Sequence, residues 1–157
     1  MNKSQVEVHV KDSLEGDDSL IGFFQAMQLP KIWLYFLIGP LAFLSMKTYF
    51  VAVSKRGLYF HRLNLLGKFK DYDFFEFNEI DSVKIGGGIL QRPMTFQFKN
   101  KRKIKIKAQL KGVEKVAKLT PEVQQYIENN IAVHDDIFFN HNNSLFSGIA
   151  VNKTSAP

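Results

Sequence analysis

From Phe96 to Ala108 the chain reads Phe-Gln-Phe-Lys-Asn-Lys-Arg-Lys-Ile-Lys-Ile-Lys-Ala, an alternation of period two. Apolar Phe96, Phe98, Ile104, Ile106 and Ala108 take the even positions, and Lys99, Lys101, Lys103, Lys105 and Lys107 take the odd ones. Successive side chains of a strand point to opposite faces, so this pattern predicts a β-hairpin with one face in a core and the other carrying ammonium groups. The turn is expected at Asn100 to Arg102. The five lysines and Arg102 carry a charge equal to the +6 of the whole chain, so the remainder is close to neutral. The basic strand is therefore localised, and it points to an anionic partner without naming one.

Composition narrows the setting. A chain of 157 residues that is 45% apolar and holds 15 phenylalanines has the material for one folded domain with one real core. A pI near 9.5 suits acidic lipid, nucleic acid or an acidic protein. The absence of cysteine excludes disulfides, thiolate catalysis and Cys-ligated metals, and it is compatible with a reducing compartment. Met1 to Gly16 is polar and lacks the layout of a secretion signal. Ile32 to Met46 is uncharged, but its 15 residues fall short of the ~20 that span a bilayer, and Gly39-Pro40 breaks it. A buried or oligomer-contact role is favoured for it over an interfacial or spanning one.

Along the chain, alternating Val6, Val8 and Val10 permit a short strand. Leu20, Phe23, Phe24 and Met27 follow i, i+3, i+4, i+7 spacing and predict a helix, with Asp18 or Ser19 as its N-cap. A second helical piece is expected over Lys31 to Ile38, ending at Gly39-Pro40. Strands are expected over Thr48–Ser54 and Leu58–Leu63, joined by a tight turn with Gly57 at a positive φ. Further strands follow the aromatics Tyr72, Phe74, Phe75 and Phe77, and run through Glu79–Ile85. Gly86-Gly87-Gly88 reads as a link in which the chain bends or packs closely, since no Lys-Ser/Thr follows to make a phosphate loop. Helical spacing returns over about 111–119 and 121–131, with Thr120 as N-cap and Pro121 at the first helical position. From about residue 134 onward the sequence is polar and reads as a loose tail.

Tyr49-Phe-Val-Ala-Val-Ser-Lys-Arg-Gly-Leu-Tyr-Phe60 resembles the strand–Ser/Thr–basic–aliphatic–aromatic segment of bacterial pleckstrin-homology-like (PH-like) domains. Phe77-Asn-Glu-Ile-Asp-Ser-Val83 is similar to that family's aromatic-x-Glu-Ile-x-x-Val motif, and a terminal helix follows in the same order. The resemblance covers roughly residues 45–131. It implies an α+β, mainly β fold: a bent antiparallel sheet or partial barrel of about seven strands, capped by a C-terminal helix and preceded here by an apolar N-terminal helical segment. The corresponding division is 1–40 as an extension, 41–133 as the PH-like domain and 134–157 as a tail. The resemblance also implies binding without catalysis. Eukaryotic relatives of the fold bind phosphoinositides through basic residues at the first strand-to-strand loop. That loop is expected here at Ser54-Lys55-Arg56-Gly57, shorter than a phosphate cradle.

Each chemical constellation has a bland counterpart. The lysine ladder fits an anionic surface, or a solvated strand face that discourages edge aggregation. Nucleic acid is disfavoured because Phe96 and Phe98 face away from the lysines and offer no stacking platform. Asp71, Asp73, Glu76, Glu79 and Asp81 lack the spacing of a cation loop. His134, Asp135, Asp136 and His141 lack zinc-site spacing, and His9 and His61 are unpaired in sequence. No nucleophile motif occurs. The expectation is a non-enzymatic module without metal or cofactor, cytoplasmic or peripheral at the inner membrane face. It would contact an anionic membrane or a protein partner through Lys99, Lys101, Arg102, Lys103, Lys105, Lys107, Lys55 and Arg56. Phe23, Phe24, Trp33, Tyr35 and Phe36 are expected to form a homo-oligomer or membrane interface. The alternative is a self-assembling structural protein with no lipid ligand.

Overall fold

The computed structural model describes residues 3–111 and 117–134. Its elements are α1 (Lys3–Asp12), β1 (Leu20–Gln28), α2 (Ile32–Ile38), a 3-10 turn (Gly39–Ser45), β2 (Lys47–Ser54), β3 (Gly57–Leu63), β4 (Phe69–Glu76), β5 (Ile80–Ile85), β6 (Gln91–Phe98), β7 (Lys103–Gln109) and α3 (Pro121–Asn130). The seven strands form one antiparallel sheet in the order β4-β3-β2-β1-β7-β6-β5, left open between its edge strands β4 and β5. β1 pairs with β2 from Leu20 to Gln28 but with β7 only at Ala26↔Ala108 and Met27↔Lys107, and there the sheet bends. This is the PH-like arrangement, a bent seven-stranded sheet capped by a C-terminal helix.

Inside the bend lies the main core, centred on Phe24, Val51, Phe60, Val83, Phe96 and Ile127, all at most 1% exposed. Each such side chain is worth roughly 1.5–3 kcal/mol of burial. A second core lies on the other face of β1–β3, where Phe23, Phe50, Ala52 and Tyr59 meet Val6 and Val10 of α1. The valines expected in a strand therefore belong to a helix. Val6 and Val10, one turn apart, are buried, while Val8 between them is 59% exposed.

The helix expected over Leu20 to Met27 is β1, and the sheet begins well before residue 41. Both faces of β1 are covered, Phe24 by the main core and Phe23 by α1. Double burial removes the polar–apolar alternation that marks a half-buried strand and leaves an apolar run that mimics a helical stripe. Asp18 caps no helix. Its carboxylate accepts from the Ser19 and Arg56 amides and from the Tyr59 hydroxyl.

At the other terminus, α3 starts as expected, with Thr120 Oγ1 accepting from the Val123 amide and Pro121 in the first turn. Of the expected helix over 111–119, residues 112–116 lie outside the described part, and the Leu119 amide donates to Gln109 O. α3 closes one mouth of the bend, against Gly22, Arg92 and Phe77. The tail from residue 135 lies outside the described residues.

The β2–β3 turn is built by Ser54, whose hydroxyl accepts from the Arg56 and Gly57 amides. Gly57 is needed for clearance, not for a positive φ. A Cβ there would sit 2.1 Å from the carbonyl oxygen of Phe75 on β4.

Candidate functional site

The strand register sorts the connections into two groups. The β1–β2 connection (29–46), the β3–β4 turn (64–68) and the β6–β7 turn (99–102) gather at the mouth opposite α3. The β2–β3 turn bearing Lys55 and Arg56 lies at the α3 end. The first strand-to-strand connection is thus 29–46, not Ser54–Gly57. Lys55 and Arg56 do not lie on the lysine hairpin itself; their turn and the hairpin turn border the same segment Phe77–Glu79, where the Phe77 amide donates to Arg56 O and the Lys99 amide donates to Glu79 O. Arg56 is held locally, its Nη2 3.1 Å from Glu76 Oε1 and its guanidinium 5.5 Å from the Phe74 ring centroid.

Of the expected lysine ladder, Lys103, Lys105 and Lys107 stand on β7, facing away from buried Ile106 and Ala108. Lys99 and Lys101 belong to the turn instead. There Lys101 takes φ +66°, its amide donates to Phe98 O, and Asn100 Oδ1 accepts from the Arg102 amide. Arg102 reaches back over the Phe75 ring, 5.5 Å from its centroid.

Past Met27 the chain leaves β7, and Leu29-Pro30-Lys31-Ile32 climbs over the lysine-bearing face. It leaves a cleft of about 600 Å³ bordered by Lys31, Ile32, Lys103, Lys105 and Lys107. On the inner side, a second cavity of about 400 Å³ is bordered by Lys47, Arg62, Arg102 and Lys103, with Tyr49 and Asp73. Arg62 is engaged by Asp71, Nε to Oδ1 at 2.7 Å, which raises the arginine pKa and lowers that of the aspartate. Burial raises the pKa of Tyr49 above its ordinary value. Of the acidic residues that lack cation-loop spacing, Asp71 pairs with Arg62 and Glu76 with Arg56. Glu79 instead accepts from the Glu76 amide.

Beyond the cleft, α2 has no buried side chain. Ile32, Trp33, Phe36, Leu37, Leu41 and Leu44 are 56–88% exposed. Its C-terminus breaks at Gly39, whose φ of +57° suits glycine. Of the expected interface set, Trp33 and Phe36 lie open, Tyr35 is half-buried, and Phe23 and Phe24 are buried in the two cores. As members of a strand covered on both sides, Phe23 and Phe24 have no face left for a partner. The exposed Leu65 and Leu66 of the β3–β4 turn, at the same mouth, were not singled out by the sequence. Two isolated leucines in a turn carry no periodic signal. Among the described residues no helix is long and apolar enough to cross a membrane, and no cluster of three or more metal-ligating side chains occurs. Asp135, Asp136 and His141 lie outside the described residues.

The histidines unpaired in sequence meet in space. His61 of β3 is 1% exposed beneath α1, with Ser13 Oγ 3.3 Å from its Nε2, and His9 stacks on Phe69 at 3.8 Å. Burial, and to a lesser degree His9, pull the His61 pKa down to about 4, so at neutral pH this ring fills space as an uncharged group.

No protein-family model and no curated protein matches the chain. Among solved structures it resembles the hSac2 domain from human phosphoinositide phosphatase Sac2, at 12% identity and a TM-score of 0.53, over 81% of this chain and 78% of that one. That likeness bears on the fold.

Proposed function

We propose that the chain is a non-enzymatic binding module of the bacterial PH-like kind that docks peripherally on an anionic membrane surface. The β1–β2 connection enters the interface, and the lysine strand supplies the attraction. The reading is carried by one juxtaposition: the exposed apolar connection springs from the cleft whose rim holds Lys31, Lys103, Lys105 and Lys107. Apolar side chains ahead of a row of ammonium groups match the layering of acyl chain and acidic headgroup. Each basic residue held near an acidic leaflet adds about 1 kcal/mol, and each buried Trp, Phe or Leu roughly 1.5–3 kcal/mol. Arg56, held by Glu76 and Phe74, is not counted among the cations of this surface.

Flotation of the full chain with neutral and with acidic vesicles, at low and at high salt, tests the proposal. Binding is expected to acidic vesicles, weakened but not abolished by salt, because screening acts on the lysines and not on inserted Phe36. Absence from every vesicle fraction would refute it. The second reading, self-association through the same exposed helix, predicts a concentration-dependent mass in lipid-free solution that salt barely changes.

A further inference from the structure

The seam between β1 and β7 is paired over only part of its length, at Ala26↔Ala108 and Met27↔Lys107. β7 pairs with β6 through Thr95↔Lys105, Phe96↔Ile104 and Gln97↔Lys103, yet among the described residues its β1 side finds a strand partner only from Lys107 onward. β1 turns away after Gln28, and Pro30, which follows, has no N–H to offer. The stretch Lys103–Ile106 thus presents a free edge inside the sheet order. Backbone donors and acceptors at such an edge are a template for another strand. The gap opens to both faces, since Gln28 and Lys103 border the 600 Å³ cleft as well as the 400 Å³ inner cavity. Among the described residues, four lysines and no acidic residue border the cleft, and Asp73 alone is acidic around the inner cavity.

We infer that this seam accepts an extended acidic segment of a partner protein, added as a strand beside Lys103–Ile106. Side chains of neighbouring strands share a face, so period two dictates the sequence the slot prefers. Acidic residues fall beside Lys103 and Lys105 on the outer face, and apolar ones beside Ile104 and Ile106 on the inner face. A lipid phosphate would meet the lysines but leave the strand edge to water, whereas a peptide satisfies both. The inference is independent of the membrane reading, and in its test vesicles serve only as the competing probe.

The experiment is a titration of the isotope-labelled full chain with a Glu-Val-Glu-Val-Glu peptide blocked at both ends, followed by amide NMR and hydrogen exchange. Two comparison peptides accompany it: one of the same composition with the glutamates in a block, and one with the central glutamate replaced by proline. Expected are shifts and slowed exchange of seam-facing amides in Lys103–Ile106, with affinity at least about tenfold lower for both comparison peptides. Lys103→Glu with Lys105→Glu, two exposed positions outside the core, is expected to abolish binding while leaving the spectrum folded. Equal affinity for all three peptides, or shifts without slowed exchange, would overturn strand addition. So would the absence of any binding at millimolar peptide. Slowed exchange of these amides by acidic vesicles, but not by the peptide, would reassign the seam to lipid.

Discussion

Replacing Phe36 and Leu37 together by serine separates what the β1–β2 connection does from what the fold needs. Phe36 is 88% and Leu37 69% exposed, and α2 buries no side chain, so both can be changed without opening a cavity. The expected effect on unfolding free energy is within about 0.5 kcal/mol, the usual range for surface positions. In a membrane interface the same two residues lose transfer energy in proportion to the area they hold ready. At roughly 1.5–3 kcal/mol for a fully buried side chain, scaled by these exposures, the pair is worth about 2.4–4.7 kcal/mol, or roughly 50- to 2,000-fold in vesicle partitioning. Trp33 is the one tryptophan of the chain and lies on the same helix, so its fluorescence reports the event directly. The wild-type emission should shift to the blue on acidic vesicles and be quenched by brominated acyl chains, and the double variant should show neither at the same lipid concentration. Undiminished partitioning of Phe36→Ser/Leu37→Ser would refute insertion and leave the lysines as the whole of any attraction. A blue shift that follows protein concentration without lipid would instead transfer the helix to a self-association contact.

Two further predictions concern the scaffold. Acidification from pH 7 to pH 5 is expected to remove about 2 kcal/mol of stability, because the unfolded chain takes up a proton at the ordinary histidine pKa of 6.5 that buried His61, held near 4, cannot take. The loss sets in as pH falls below 6.5 and is complete near 4, and a His61→Phe variant giving the same shift of urea midpoint between pH 7 and pH 5 would show that another group is responsible. Gly57→Ala is expected to cost about 3 kcal/mol in urea unfolding, since the added Cβ meets the backbone of β4 2.1 Å away. An unchanged midpoint would mean that β3 and β4 part there at little cost.

How much of this was legible in the sequence depended on how many faces each element buries. β2, β3, β5 and the lysine hairpin stood within a few residues of their expected bounds, and α3 announced itself through Thr120 and Pro121. Those signals are local: a turn residue, a cap, an alternation with one solvated face. β1 and α1 were misread for one shared reason. α1 covers the outer face of β1, which hides the alternation of the strand, and its own buried surface amounts to two valines in an otherwise polar helix. Neither pattern can be decoded without knowing that the other element lies against it.

The site divides along the same line. That Lys103, Lys105 and Lys107 share a face follows from period two alone, whereas their nearness to Lys31 and Ile32 follows from Ala26 pairing with Ala108, a contact no local pattern encodes. The apolar run from Ile32 posed the opposite problem. Its hydrophobicity was plain, and a helix apolar all round is ordinarily buried, so burial was the natural expectation. The fold refuses that burial because the apolar faces of the sheet are already occupied, the inner one by the main core with α3 and the outer face of β1–β4 by α1, while the outer face of β7 is polar and carries Lys103, Lys105 and Lys107. With no apolar face left to receive it, α2 keeps Trp33 and Phe36 in the open, beside the lysine-bearing strand β7. Exposed apolar surface of this kind is stable in an apolar medium or against another protein surface. On the proposed membrane reading, the lysines next to it favour the medium whose boundary is anionic, which is why the vesicle experiments bear on this helix before any other part of the molecule.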